Sequence, residues 1–151
     1  KRLCDKLNIS NQVLSESEKI RNNKEIIIIN AFGVLSEYFK YSKSVFIGKS
    51  IIKRLEQVGG QSPIEAAKLG CKIYHGPYTY NFSDIYKFLK KNKISTKIND
   101  EKELSKKLIL DLKNNYKNNN KKNIKKISNL GEKIFNESMR EIDKVLKNEN
   151  F

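Results

Sequence analysis

Short unbroken runs of β-branched residues recur along this chain, separated by segments whose apolar residues fall at helical spacing. Glu25-Ile26-Ile27-Ile28-Ile29-Asn30 is the first such run. Ser44-Val45-Phe46-Ile47-Gly48, Lys72-Ile73-Tyr74-His75 and Ile94-Ser95-Thr96-Lys97-Ile98 follow it. A continuous apolar run reads as a strand buried on both faces, the habit of parallel sheets. Between the runs, spacing predicts helices over Val34–Phe39, Pro63–Leu69 and Ser83–Lys91, the last with Ile85, Tyr86, Phe88 and Leu89 toward the core. Gly70 stands where a left-handed residue ends the second helix. After the fourth strand, Asp100 is a good N-cap for a helix from Glu101 to about Asn114, with Leu104, Leu108 and Leu112 on one stripe. The Asn/Lys stretch 114–123 reads as a loop or a frayed helix end. A last helix, apolar at Ile134, Met139, Ile142 and Leu146, is expected to break near Gly131. Strands alternating with helices mean an α/β fold with a parallel sheet, and right-handed crossovers make it half of a doubly wound fold.

In such a fold ligands bind outside the carboxyl ends of the strands. The loops after Asn30, Gly48 and His75 lie at that edge. Gly59 and Gly60 allow close approach of backbone to a ligand. They lead through Gln61 into Ser62-Pro63-Ile64-Glu65, a helix start that favours a nearby phosphate. Ser62 suits the cap, Pro63 the first helical position and Glu65 the third, so one reading of Glu65 is a capping box with its carboxylate on the Ser62 N–H. The other has Glu65 accept hydrogen bonds from the hydroxyls of a ribose. Gly76-Pro77 and Asn81-Phe82 form a second loop; Asn81, Ser83 and Asp84 are all capping types. His75 has no Ser, Cys or carboxylate beside it in sequence, which points to packing rather than catalysis. No nucleophile elbow, Walker loop, zinc spacing or dinucleotide fingerprint occurs.

At 151 residues the chain is one domain with a helical tail, divided as 1–114 and 115–151. It opens at Lys1 on what reads as a helix already under way, the expectation for a C-terminal piece of a longer protein. Cys4 and Cys71 are too far apart to suggest a disulfide framework or zinc site, and Cys71 reads as a small core residue. No stretch approaches the roughly 18–20 apolar residues of a membrane span. The net charge of +14 raises the possibility of nucleic-acid binding, but the excess is spread along the chain. An acid-free run from Lys113 to Leu130 is rich in Asn and poor in Arg. Without an aromatic-basic motif or recognition helix, specific nucleic-acid binding is not expected. A diffuse positive field favours an anionic substrate or an anionic membrane surface.

The stretch Gly59-Gly60-Gln61-Ser62-Pro63-Ile64-Glu65-Ala66-Ala67, followed by Leu69-Gly70, Gly76-Pro77 and Asn81-Phe82, resembles a family pattern. That pattern is Gly-Gly-His/Gln-Asn-Pro-Leu/Ile-Glu, then Gly-Pro-His, then Asn-Phe, of the 3-deoxy-D-manno-octulosonic acid (Kdo) transferases, glycosyltransferase family 30. Phe46-Ile47-Gly48-Lys49-Ser50 resembles its Phe-Val-Gly-Gly-Ser strand end, and Ala31-Phe32-Gly33-Val34-Leu35 sits where the family has Met/Leu-Gly-Glu-Leu. The likeness runs from Glu25 to about Asn114.

The resemblance implies a Rossmann-like parallel sheet with flanking helices, the C-terminal half of a GT-B glycosyltransferase. It implies binding of the donor CMP-Kdo, with no cofactor and no bound metal, and inverting transfer to a lipid A precursor at the cytoplasmic face of the bacterial inner membrane. By motif position the nucleotide contacts are Gly33, Val34 and Leu35 on one loop and Ser62, Pro63, Ile64 and Glu65 on the other. Gly76, Pro77, Asn81 and Phe82 border the sugar. The acceptor domain, its catalytic glutamate and the Pro-Arg-His segment are expected before Lys1, so no catalytic residue is assigned and the chain alone is expected to be inactive. Val34 replaces a Glu, Ser62 an Asn, Lys49 a Gly and Tyr78 a His, and the loop Ser50–Val58 is longer than usual. Two other readings compete: another GT-B nucleotide-sugar transferase, and a basic module binding nucleic acid or anionic lipid with steep salt dependence.

Overall fold

The protein, here a computed structural model, is described over residues 1–15, 18–114 and 121–148. It forms two compact units, Lys1–Glu37 and Tyr38–Phe151. The Asn/Lys stretch read as a loop or frayed end falls largely on 115–120, outside the described residues. Among the described residues no helix is long and apolar enough to cross a membrane.

The first unit opens with α1 (Arg2–Lys6) and holds two parallel strands, β1 (Asn11–Leu14) and β2 (Ile26–Ile29), with Asn11 opposite Ile26 and Leu14 opposite Ile29. β1 is absent from the sequence reading because Asn and Gln, both poor strand residues, occupy half of it. It is placed by its ladder with β2, and Gln12 organises the connection, donating to the Lys19 carbonyl at 3.0 Å and accepting from the Arg21 N–H at 2.9 Å. The four isoleucines of β2 are only half-buried, a correction to the strand buried on both faces that the run suggests. A two-stranded sheet leaves each strand with an open edge. α2 (Leu35–Phe39) follows and carries the chain into the second unit.

The second unit is built on the parallel strands β3 (Ser44–Ile47), β4 (Lys72–His75) and β5 (Ser95–Lys97), hydrogen-bonded in that order. α3 (Ile64–Lys68) connects β3 to β4, and α4 (Ser83–Lys91) connects β4 to β5. This is the expected α/β architecture, parallel strands flanked by helices. The core gathers Ile47, Ala66, Ala67, Cys71, Ile73, Leu89, Ile94 and Ile127, so β3 and β4 pack here against α3, α4 and the C-terminal helix. Gly70 adopts φ +80° and ends α3, with the Cys71 N–H on the Ala66 carbonyl at 3.0 Å.

Two helices differ from their sequence pattern. In α5 (Glu101–Lys113) the residue facing the sheet is Asp111, while Leu112 at the end of the expected stripe is 70% exposed. Asp111 accepts from Lys72 Nζ (2.6 Å), Ser44 Oγ (2.6 Å) and Tyr74 OH (2.8 Å), which ties α5 to β3 and β4. Burial works against its charge, but these three donors outweigh it and hold the carboxyl below its ordinary range. α6 (Lys121–Asn148) runs unbroken through Gly131 and packs on α3. One glycine costs a helix only about 1 kcal/mol against alanine. Neither proline nor a left-handed residue stops the chain there.

Asp111→Ala leaves the Lys72 ammonium and the Tyr74 hydroxyl without their shared acceptor. The expected loss is about 2–3 kcal/mol in urea unfolding at neutral pH, shrinking as acid protonates Asp111 in the parent.

Candidate functional site

The loops leaving β3 and β4 meet at the C-terminal edge of the three-stranded sheet, and Ser50 is where they join. Its side chain is fully buried. Ser50 Oγ donates to the Ile47 carbonyl at 2.6 Å and accepts from the Gly76 N–H at 2.8 Å. Its carbonyl accepts from the Tyr78 N–H at 2.8 Å. A Cβ on Gly76 would collide with the backbone of Ser50 and Ile51, so only glycine fits. Lys49 reaches this turn at φ +66°, a conformation costly for a side chain, which accounts for the glycine the related pattern has there.

The Gly-Gly loop is fastened to the second loop by Asn81. Asn81 Nδ2 donates to the Gly60 carbonyl at 2.9 Å. Gly59, at φ +73°, has the Asn81 amide against its α-carbon, where any Cβ would clash. Gly60 is nearly as crowded, since a Cβ there would lie 3.1 Å from the Ser50 Cβ. Tyr80 OH donates to the Gln57 carbonyl, and Tyr86 OH reaches the Gln61 carbonyl at 3.4 Å. The sequence reading placed Asn81 among helix caps; it caps no helix and holds the neighbouring loop instead. Phe82, half-buried, ends the 3-10 turn Tyr80–Phe82 that presents Asn81. Pro77 is exposed at the rim.

The capping box does not form. Pro63 is the N-cap of α3, with its carbonyl accepting from Ala67, so the helix begins one residue later than Ser62 would require. Glu65 then occupies the second helical position rather than the third. The Ser62 hydroxyl accepts only a long 3.4 Å bond from the Ile64 N–H. The Glu65 side chain is exposed and has no hydrogen-bond or ion-pair partner among the described residues. A five-residue helix brings little macrodipole. What this segment offers a ligand is a free carboxylate and main chain beside two glycines; the exposed cations Lys49, Lys53 and Arg54 precede it in sequence.

Gly33, Val34 and Leu35 lie in the first unit. Gly33 takes φ +75° with open space around it, and Leu35 starts α2. His75 is buried under the second loop, with its Nδ1 on the Gly76 carbonyl at 2.8 Å and its ring 4.2 Å from that of Tyr86. Desolvation pulls its pKa below the ordinary value, and the nearby Lys97 and Lys90 charges add to this against the Gly76 bond. Among the described residues no three His, Cys, Asp or Glu side chains stand together as a metal site requires. Ser50 escaped the sequence reading as a site residue. Its only signal was its place directly after a strand end that matches the family pattern.

No protein-family model matches the sequence. Among solved structures, the crystal structure of the C-terminal CMP-Kdo binding domain of WaaA from Acinetobacter baumannii matches with a TM-score of 0.66 at 21% identity. The match covers 74% of this chain and 56% of that one. The two share a fold. The chain thus spans little more than half the length of the domain it resembles.

Two measurements probe the platform. In a double-mutant cycle, Gly59→Ala is expected to cost more in the parent than in an Asn81→Ala background, because the collision disappears with the amide and only the strain of positive φ, about 1 kcal/mol, remains. Equal costs would mean that Asn81 does not hold the loop. His75 is the chain's single histidine. Its folded pKa lies below the unfolded value, so just under that value the unfolded state binds more protons and stability rises with pH. Tm is expected to fall between about pH 7 and about pH 5, and to fall less in His75→Gln.

Proposed function

We propose that this chain forms the donor-binding wall of a Kdo transferase, holding the nucleotide of CMP-Kdo while the sugar passes to a lipid A precursor. The observation that carries the reading is the bond from Asn81 to the Gly60 carbonyl. It fastens the two stretches that most resemble the family into one platform, at the sheet edge where α/β folds bind ligands. The Glu65 carboxylate supports the reading, since ribose hydroxyls are suitable donors and no side chain among the described residues competes for it. The fold shared with a CMP-Kdo binding domain supports it as well.

In this proposal Ser62, Pro63, Ile64 and Glu65 face the cytidine and its ribose. Gly59, Gly60 and Gln61 give main-chain contact. Gly76, Pro77, Asn81 and Phe82 border the Kdo ring. The cations of residues 49–54 draw in the phosphate. The acceptor wall and its carboxylate base come from elsewhere in the enzyme. The acceptor hydroxyl loses its proton to that base and attacks the anomeric carbon as CMP leaves, which inverts the centre without a metal. A cleft needs both walls, so this chain binds donor without turning it over. Its place of work is the cytoplasmic face of the bacterial inner membrane, to which the +14 charge is attracted.

An NMR titration with CMP, with AMP and UMP as controls, tests the reading. Cytidine-selective binding is expected, about tenfold weaker in Glu65→Ala, the worth of one or two hydrogen bonds. Binding that ignores the base and simply fades with salt would sink it in favour of a general polyanion surface.

A further inference from the structure

The second half of α6 lies outside the core. From Gly131 to Lys147 every residue is exposed, yet Ile134, Phe135, Met139, Ile142, Val145 and Leu146 form one apolar stripe at helical spacing. Phe135 is 64% exposed and Leu146 63%. The charges around the stripe are sorted. By the same 3.6-residue period, Glu132 and Asp143 follow one edge and Glu137 and Glu141 the other. Lys133, Arg140, Lys144 and Lys147 fall on the opposite side of the helix. Glu137 and Glu141 pair with Lys133 (3.7 Å) and Lys144 (2.7 Å), but pairs this exposed are weak, and both edges remain acidic.

That sorting excludes two occupants. A helix lying on an anionic bilayer carries cations beside its apolar face, where they reach the headgroups; here the flanking positions repel them. Pairing α6 with another α6 sets acid against acid along both edges, whether parallel or antiparallel. The stripe calls for an apolar strip bordered by cations.

α5 carries such a strip. Ile109 and Leu112 are exposed on it, and Lys102, Lys106 and Lys113 lie beside Ile109 at seven, three and four residues' distance. The adjoining shallow groove is lined by Tyr41, Lys43, Leu108 and Leu112 and by Asp111, whose carboxylate is already held by Lys72, Ser44 and Tyr74; Tyr41 is 88% exposed. Phe135 to Leu146 and Lys102 to Lys113 each span about 16 Å of helix axis. We propose that the acid-edged stripe of α6 docks on the lysine-bordered strip of α5 in a second copy of this chain, reciprocally, so that two copies exchange helices. The proposal goes beyond donor binding and does not rest on it.

Sedimentation of the whole 151-residue chain over a concentration series tests this, with circular dichroism confirming folding. A dimer is expected. Glu137→Lys with Asp143→Lys, and separately Lys106→Glu with Lys113→Glu, are each expected to weaken self-association by about tenfold or more. An equimolar mixture of the two variants restores the dimer, since the substituted positions then face opposite charges. A parent that stays monomeric overturns the proposal, as does a variant that dimerises like the parent or a mixture that fails to recover. Capture of the monomer by phosphatidylglycerol vesicles through α6 would overturn it in favour of a lipid surface.

Discussion

Two loops at the edge of the three-stranded sheet approach each other so closely that one of them has no room for a side chain. The backbone of Ser50 and Ile51 occupies the space a Cβ on Gly76 would need. The buried Ser50 hydroxyl bridges the end of β3 and the start of the loop after β4. The platform above depends on this contact. Because Ser50 fixes the second loop, Tyr80 and Asn81 come up under the Gly-Gly segment, and Asn81 then sets where Gly59 and Gly60 lie. A surface loop carries its own entropy cost. Here buried hydrogen bonds and a lack of free volume offset it.

Glu65 shows how a single-residue shift changes chemistry. With Ser62 as cap, its carboxylate would be consumed by the helix's own N–H groups. With Pro63 as cap, the carboxylate is one position too early to reach back and stays open to solvent. The shift accompanies the Gln61 main chain, whose N–H reaches toward the Gly48 carbonyl at 3.4 Å and whose carbonyl faces Tyr86 OH. Local pattern favours the box, and tertiary contacts on the preceding residue accompany its loss.

The opposite face of the sheet is governed by Asp111. A carboxylate sits where the helical pattern would put leucine, held by donors from three residues of β3 and β4. α5 turns to bring Asp111 inward, and Leu112 turns outward as a consequence. The exposed apolar strip of α5 and the buried polar network are therefore one event seen from two sides.

Hydrophobic periodicity determined the element types and most of their bounds, including β4 and α4 to the residue, because burial of one face imposes a period of its own on the sequence. It also singled out the glycines and the Asn81-Phe82 pair. What stayed hidden involves polar groups and residues distant in sequence. β1 shows no apolar alternation and is defined by its pairing with β2, and Asp111 satisfies donors 39 and 67 residues away. Asn81 serves a loop 21 residues upstream instead of the helix beside it. Gly131 weakens the local helical pattern without ending it, and α6 continues through it. A side chain's local preference is written in its neighbours along the chain. Which of several possible hydrogen bonds it makes is settled only when folding brings the other partner within 3 Å.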